Sequence, residues 1–505
     1  MKLDYKLIGT IAFVIIGIIV SIYFLSALRE NKQASQVDPF SLVPADATSV
    51  LQINNLGEFL LLFNKNIPID SSNKDLFSWY VVLNQMASPL TKEANLFFQF
   101  EESPTYVSFH EDGEIYYLKL SSGELPKWEK LLKDNKFFSP FSSIEQEYNG
   151  FKIKHYALID NRFFSLIEKD GIFIGSFNHK LLQKMINNWN QGISILKNEK
   201  FKQVLKTGGK KSTATLFHYV QTGEIPFVSD TTQVDPIFFS GWTSSDVTFS
   251  GDEIWFSGYY NPDDESSLKN FAERRKMSLL FPSELIPAET SLIKGVSVKN
   301  TEESILSEVP VFSQFGDKLY VLYVNDSTRE HTAKLYCFEI NQQEAFEKEL
   351  NVFLQKKYMY YSSKHKYIGD DFFKYTFLQK ASALNDIAGF EFFPENTSCF
   401  FSIFNGYMFV ADTEIQLDTY LQKIQQSSEK QLKKNFLLRE NLNSPCNLYL
   451  EINIDQIVQS KLYSSLYLSG SMSQYPSFFS QWNVGIQMSI VKDDLLFYHL
   501  IFAKR

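Results

Sequence analysis

The spacing of apolar and polar residues predicts strands, joined by tight turns, over much of the chain. Residues 49–54 alternate between apolar and polar side chains and predict a strand, and residues 56–63 follow with helical spacing. Residues 106–120 predict a hairpin about Glu111-Asp112-Gly113, because Asp-Gly readily supplies the positive φ that a tight turn needs. Three more turn dipeptides lie between apolar runs: Asn149-Gly150, Asp170-Gly171 and Gly251-Asp252.

Two segments with helical spacing accompany these strands. Leu125, Trp128, Leu131 and Leu132 share one helical face, and residues 180–186 form another amphipathic segment. Together the patterns predict an α+β fold, in which helices pack on meandering antiparallel sheet. The many aromatic residues, 16% of the chain, suit half-buried sheet surfaces.

An uncharged apolar run occupies residues 7–25. At about 1.5 Å per helical residue it approaches the roughly 30 Å of a bilayer's hydrocarbon core. A cleaved secretory signal is the alternative, but such signals have an apolar region of only about 7–15 residues and a small-residue cleavage site. We therefore predict a transmembrane anchor over residues 1–26, a linker over 27–39, and a single-pass protein with its large part outside the cytoplasm.

The chain also matches itself in two halves. Residues 236–242 and 476–482 share the pattern P-x-F-F-S-x-W, and Val43-Pro44-Ala45-Asp46 matches Ile286-Pro287-Ala288-Glu289. Between these matches, residues 182–185 correspond to residues 421–424. Chance similarity from the Phe, Ser and Lys content is the alternative, but the matches keep the same order. We predict two tandem diverged repeats, at 40–262 and 283–505, joined by a linker over 263–282.

The shared aromatic motif is the most distinctive candidate for an interaction surface, because its rings could form an exposed ridge or groove. The alternative is that the motif belongs to the core of each repeat and precedes its last strands. The candidate residues are Phe238, Phe239, Trp242, Phe478, Phe479 and Trp482.

Charge and motif patterns exclude several functions. The net charge of −9 is spread without a polybasic block, so nucleic acid is not expected as a partner. Residues 208–213 lack the glycine and hydroxyl positions of a phosphate loop. The seven histidines and the acidic pairs such as Asp370-Asp371 show no metal-ligand spacing, and the three cysteines fit small packed thiols. We predict no cofactor, no metal and no catalytic residue.

The anchor, the Val43-Pro44-Ala45-Asp46 opening and the Phe/Asn/Lys-rich composition together resemble those of an uncharacterised family of membrane-anchored Bacteroidetes proteins. The resemblance implies an inner-membrane protein that faces the periplasm. It implies no activity and supplies no functional residues.

These observations predict a non-enzymatic binding or scaffolding protein, with a protein partner in the cell envelope. Two alternatives stay open. One is a protein that binds an apolar ligand such as lipid, which requires a continuous apolar pocket of several hundred Å³. The other is an envelope hydrolase, which requires a cleft whose polar residues one repeat has kept and the other has lost.

Overall fold

The computed structural model describes fifteen segments of the chain. They are residues 37–87, 104–119, 143–157, 162–209, 212–220, 240–263, 282–297, 314–326, 331–357, 366–368, 373–378, 398–426, 445–459, 474–491 and 495–504. Contacts divide the chain into two compact units. The first comprises Met1–Leu62, Phe77–Lys202 and Lys210–Phe217, and the second comprises Phe63–Leu76, Gln203–Gly209 and His218–Arg505.

The first half of the described chain contributes eight strands and four α-helices before residue 221. The strands are β1 Ser49–Ile53, β2 Thr105–His110, β3 Gly113–Lys119, β4 Ile144–Tyr148, β5 Phe151–Ala157, β6 Phe163–Lys169, β7 Ile172–Ser176 and β8 Ala214–Val220. The helices are α1 Leu56–Asn66, α2 Ser78–Ala87, α3 His179–Asn190 and α4 Glu199–Leu205, with 3-10 turns at Pro39–Ser41 and Ile195–Lys197. Pairing gives the strand order β8-β1-β2-β3-β7-β6-β5-β4.

The second unit holds the remaining described strands. They are β9 Gly241–Ser250, β10 Glu253–Pro262, β11 Thr290–Ser297, β12 Phe315–Asp326, β13 His331–Ile340, β14 Lys366–Ile368, β15 Phe373–Leu378, β16 Cys399–Phe404, β17 Tyr407–Ala411, β18 Leu448–Asn453, β19 Trp482–Ile490 and β20 Leu496–Lys504. Its helices are α5 Gln343–Lys357, α6 Glu414–Gln426, α7 Ile454–Gln459 and α8 Pro476–Phe479, with a 3-10 turn at Ser283–Leu285. The strand order is β9-β10-β20-β19-β18-β11-β12-β13-β17-β16-β15-β14.

The two orders contain the same sequence of pairings. The run β8-β1-β2-β3-β7-β6-β5-β4 corresponds strand for strand to β18-β11-β12-β13-β17-β16-β15-β14. The strand registers also identify equivalent residues in the two runs. Ser108 pairs with Val50 and Ile115, and Leu322 pairs in the same way with Ile293 and Leu335. The boundaries proposed for the repeats and linkers stay a prediction.

Local chemistry explains the turns and helix starts. Asn149, Asp170 and Asn405 adopt positive φ, and each precedes a glycine that does the same, as two-residue hairpins require. Helix α3 begins where the Asn178 side chain accepts hydrogen bonds from the amides of Lys180 and Leu181. The hairpins predicted from sequence at residues 106–120, 149–150, 170–171 and 251–252 are present in the structure.

The structure corrects the predicted fold class and location. No helix among the described residues is long and apolar enough to cross a bilayer. The longest of them, α5, has 15 residues, whereas a span needs about 20 mostly apolar ones. The predicted span over residues 7–25 lies outside the described residues. The α+β assignment is kept, but the transmembrane helix and the single-pass, periplasm-facing inner-membrane location are not.

Strand pairing connects segments from both predicted repeats, whose boundaries stay a prediction. Strands β9 and β10 fall in the first predicted repeat, yet they belong to the sheet of the second unit, where β10 pairs with β20 over eight residues. Large antiparallel sheet therefore dominates the fold. The pattern of alternation predicted the strands but not which strands become neighbours, because strand pairing depends on side chains far apart in sequence.

Candidate functional site

An apolar slot lies in the first unit between two helices and one face of the sheet. The cavity volume is only about 20 Å³, room for about one water molecule, so the slot is narrower than the several hundred Å³ of a preformed ligand pocket. Helices α1 and α2 supply one wall, and strands β2, β3, β6 and β7 supply the other. The apolar side chains of the lining are Leu56, Leu83, Met86, Leu118, Leu166 and Phe173.

The sequence folds into this arrangement because each element exposes one apolar face. Helix α2 buries Tyr80, Val82, Leu83, Met86 and Ala87, which follow helical spacing. Strand β7 is buried along its whole length. Gly175 on β7 is needed for close packing, because a Cβ at this position would overlap the ring of Phe164. Val410 occupies the equivalent position of the second unit, since it pairs with Tyr336 as Gly175 pairs with Tyr116.

Two buried hydroxyl groups belong to residues of the lining, although the surface that faces the slot is almost entirely apolar. Thr105 Oγ1 and Tyr116 Oη are buried, and neither has a hydrogen-bond partner among the described residues. Burial, together with the nearby charge of Glu114, raises the pKa of Tyr116, so its hydroxyl stays protonated and can donate. A buried polar group without a partner costs about 1–3 kcal/mol. A ligand that brings a hydrogen-bond acceptor into the slot would remove part of this cost.

A buried polar cluster lies on strands β2 and β3. Ser108 Oγ is 2.9 Å from His110 Nε2 and 3.2 Å from the hydroxyl of Tyr117. Ser108 and Tyr117 are fully buried, and His110 is 8% exposed. Burial raises the pKa of Tyr117 above its ordinary value. The cluster is therefore neutral and closed to bulk solvent at its centre.

A surface ion pair borders the cluster. Lys184 Nζ on α3 lies 2.6 Å from Asp46 Oδ2, which in turn lies 3.7 Å from His110 Nδ1. Partial burial disfavours the Asp46 carboxylate, but the hydrogen bond from Lys184 and the proximity of His110 outweigh it and hold the pKa of Asp46 below its ordinary value. Burial lowers the pKa of His110, and Asp46 opposes this only in part.

Serine, histidine and aspartate thus come together, but not in a form suited to nucleophilic catalysis. A nucleophile must reach its substrate, whereas Ser108 has no exposed surface and its hydroxyl also contacts Tyr117. The 3.7 Å between His110 and Asp46 is longer than a hydrogen bond. The cluster can hold and transfer a proton internally, and nothing in its geometry admits a substrate.

The aromatic residues proposed as an interaction surface are mostly buried where they are described. Trp242, Phe478 and Trp482 are 3%, 7% and 2% exposed, and only Phe479 is half-buried. Phe238 and Phe239 lie outside the described residues, as do residues 125–132 and Asp370-Asp371. The proposed surface stays a prediction, and it contributes no geometry to the slot or the polar cluster.

The three cysteines are free and buried in the second unit. Burial raises the pKa of Cys337, Cys399 and Cys446, the last to about 12, so all three are thiols at neutral pH. Within the described segments, no group of three or more His, Cys, Asp or Glu side chains is placed to hold a metal ion.

Comparison with known proteins adds little. No family model and no curated protein matches the chain. Two solved structures of TP0453, its crystal forms I and IV, are similar at 11% identity. They cover 46% and 45% of this chain and 81% and 82% of that chain, with TM-scores of 0.24 and 0.25. At these TM-scores the similarity carries no argument about fold or function.

Proposed function

We propose that this chain is a non-enzymatic binding protein whose first unit takes up a small apolar molecule with a hydrogen-bond acceptor, and that the narrow slot widens as the molecule enters. The slot between α1, α2 and the sheet supports this proposal, because it combines an apolar lining with two buried hydroxyls that lack partners in the described structure. The hydroxyls of Thr105 and Tyr116 would donate to a carbonyl or ether oxygen of the ligand.

The chemistry of the slot favours a neutral ligand. Glu114 and Arg162 both lie close enough to Tyr116 to affect its ionisation, and their opposite charges give the slot no net preference for an anion or a cation. An isolated charge buried against the apolar lining would lose its hydration without replacement. A ketone, ester or amide with a compact hydrocarbon body therefore suits the slot better than a fatty acid anion.

A fluorescence titration tests the proposal. The neutral ketone 6-propionyl-2-dimethylaminonaphthalene fluoresces at shorter wavelength in apolar surroundings, and we expect saturable binding to the full chain. Leu83→Trp, which fills the slot, is expected to abolish this binding. Tyr116→Phe is expected to weaken it by about 2–12-fold, since one hydrogen bond contributes about 0.5–1.5 kcal/mol.

The second unit provides the matched control. Tyr336 holds the strand position equivalent to Tyr116, and Tyr336→Phe is expected to leave probe affinity unchanged. Circular dichroism checks that each variant is folded. The proposal fails if the unmodified chain shows no saturable binding, or if folded Leu83→Trp and Tyr116→Phe bind the probe as the unmodified chain does.

A further inference from the structure

The polar cluster of β2 and β3 is absent from the equivalent strands of the second unit. Strand registers align three polar residues of the first unit with three apolar or weakly polar ones of the second. The aligned pairs are Ser108 with Leu322, His110 with Val324, and Tyr117 with Cys337. The residues of the second unit belong to its hydrophobic core. The fold therefore does not require a histidine at this position.

The ion pair beside the cluster, in contrast, occurs in both units. Lys184 on α3 binds Asp46 at 2.6 Å, and Lys423 on α6 binds Glu289 at 2.9 Å. Each pair connects a helix to the segment that precedes one of two equivalent strands, β1 in the first unit and β11 in the second. Among the described residues, a histidine lies next to the carboxylate only in the first unit, where His110 offers Asp46 a second cationic partner when it is protonated.

Three charged groups around His110 determine how its protonation affects the ion pair. Asp46 precedes β1, Lys184 lies on α3, and Asp112 lies in the turn between β2 and β3; all three affect the ionisation of His110. Ser108 contacts Nε2, whereas Nδ1 is buried without a hydrogen-bond partner among the described residues. When neutral His110 carries its proton on Nε2, Nδ1 has no hydrogen to donate to Asp46. The carboxylate then binds only Lys184 of these groups.

We propose that protonation of His110 transfers Asp46 from Lys184 to His110 and so breaks the ion pair that joins α3 to the segment before β1, while the buried apolar face of α3 stays packed. A proton from solvent binds Nδ1, and the new N–H donates to Asp46 Oδ2, which already lies 3.7 Å away. Lys184 keeps its own proton and turns to water, which its half-exposed side chain already reaches. No other bond is made or broken.

The direction of the pH effect follows from burial. Because burial lowers the pKa of His110, the unfolded chain binds this proton more readily than the folded chain does. The stability that neutral His110 contributes is present above the ordinary histidine pKa of about 6.5 and is lost as the pH falls through the folded value. Acid therefore destabilises the neutral arrangement and favours the loss of the ion pair between Lys184 and Asp46.

Hydrogen exchange measured by mass spectrometry tests the proposal on the full chain. Exchange is compared at about pH 7.5 and about pH 5, on either side of the ordinary histidine pKa of roughly 6.5, after correction for the intrinsic pH dependence of exchange. We expect protection of α3 to fall by up to about fivefold at the lower pH, the size of effect that the loss of one exposed ion pair gives. Helix α6 of the second unit, held by Lys423 and Glu289, is the internal control and should keep its protection.

Variants separate His110 from other causes. His110→Gln keeps a group able to bond to Ser108 but cannot titrate, so α3 should stay protected at both pH values. Asp46→Asn removes the carboxylate that Lys184 binds, so at both pH values α3 should show the reduced protection that the unmodified chain shows only at the lower pH. His155 also has a pKa lowered by burial, and its ring meets that of His179, at the start of α3, edge to face. His155→Gln is therefore the matched control, which should respond as the unmodified chain does.

Three results would overturn the proposal. The first is equal protection of α3 at both pH values in the unmodified chain. The second is an acid response that persists in His110→Gln, and the third is an acid response that is lost in His155→Gln alone. If His110→Gln fails to fold, the double variant Ser108→Leu/His110→Val introduces the residues of the second unit and should remove the acid response in the same way.

Discussion

Replacing Phe201 with alanine is expected to lower the free energy of unfolding of the first unit by about 3–5 kcal/mol. Phe201 is fully buried, and its ring centroid lies 5.7 Å from that of Phe40 and 5.6 Å from that of Phe217. Phe40 also contacts Tyr106 on β2. The substitution leaves a cavity between rings contributed by four separate segments, which cannot close without moving the strands.

Urea denaturation followed by tryptophan fluorescence and circular dichroism measures this loss. Leu61→Ala is the matched control, because Leu61 is 71% exposed and its truncation should change stability by no more than about 0.5 kcal/mol. A loss below about 1 kcal/mol for Phe201→Ala would show that the ring cluster is not a packed core.

Replacing Gly258 with alanine is expected to destabilise the second unit by about 1–3 kcal/mol or more. Gly258 lies in the middle of β10, between β9 and β20, and a Cβ there would overlap the backbone carbonyl of Ser244. Because the obstacle is backbone in a paired strand, the strands must separate to make room. The expected result is a lower midpoint of thermal unfolding and faster exchange of the β9 and β10 amides.

Gly251, in the turn between β9 and β10, distinguishes this steric effect from a general sensitivity of glycine positions. It has a φ of +60°, and a Cβ added there would meet no atom of the described residues within 4 Å. Gly251→Asn should change stability by less than about 1 kcal/mol, because asparagine tolerates positive φ. Equal losses for both variants would contradict the steric explanation.

Local features of this fold could be predicted from sequence, whereas neighbours far apart in the chain could not. Asp-Gly and Asn-Gly dipeptides marked hairpin turns because they adopt positive φ. The match between Asp46 and Glu289, and that between Lys184 and Lys423, aligned residues that the structure pairs as two corresponding ion pairs. Neither match indicated that these residues would be in contact.

The slot and the polar cluster were not predicted, for different reasons. Ser108 and His110 stand two apart on a predicted strand, so alternation already placed them on one face, but only the strand registers show that Leu322 and Val324 take their places in the second unit. The slot depends on how α2 meets β7, which no local pattern specifies. The aromatic motif attracted attention by its composition, yet Trp242 and Trp482 are buried.

The pairing of β10 with β20 has a consequence for biosynthesis. Ser257 and His499, which face each other across this seam, are 242 residues apart, so a ribosome making the chain releases β10 long before its partner exists. During that interval one edge of the β9–β10 hairpin offers unpaired amides and carbonyls to any other nascent strand. Chains interrupted before β20 would keep this edge permanently and should be caught by chaperones or aggregate.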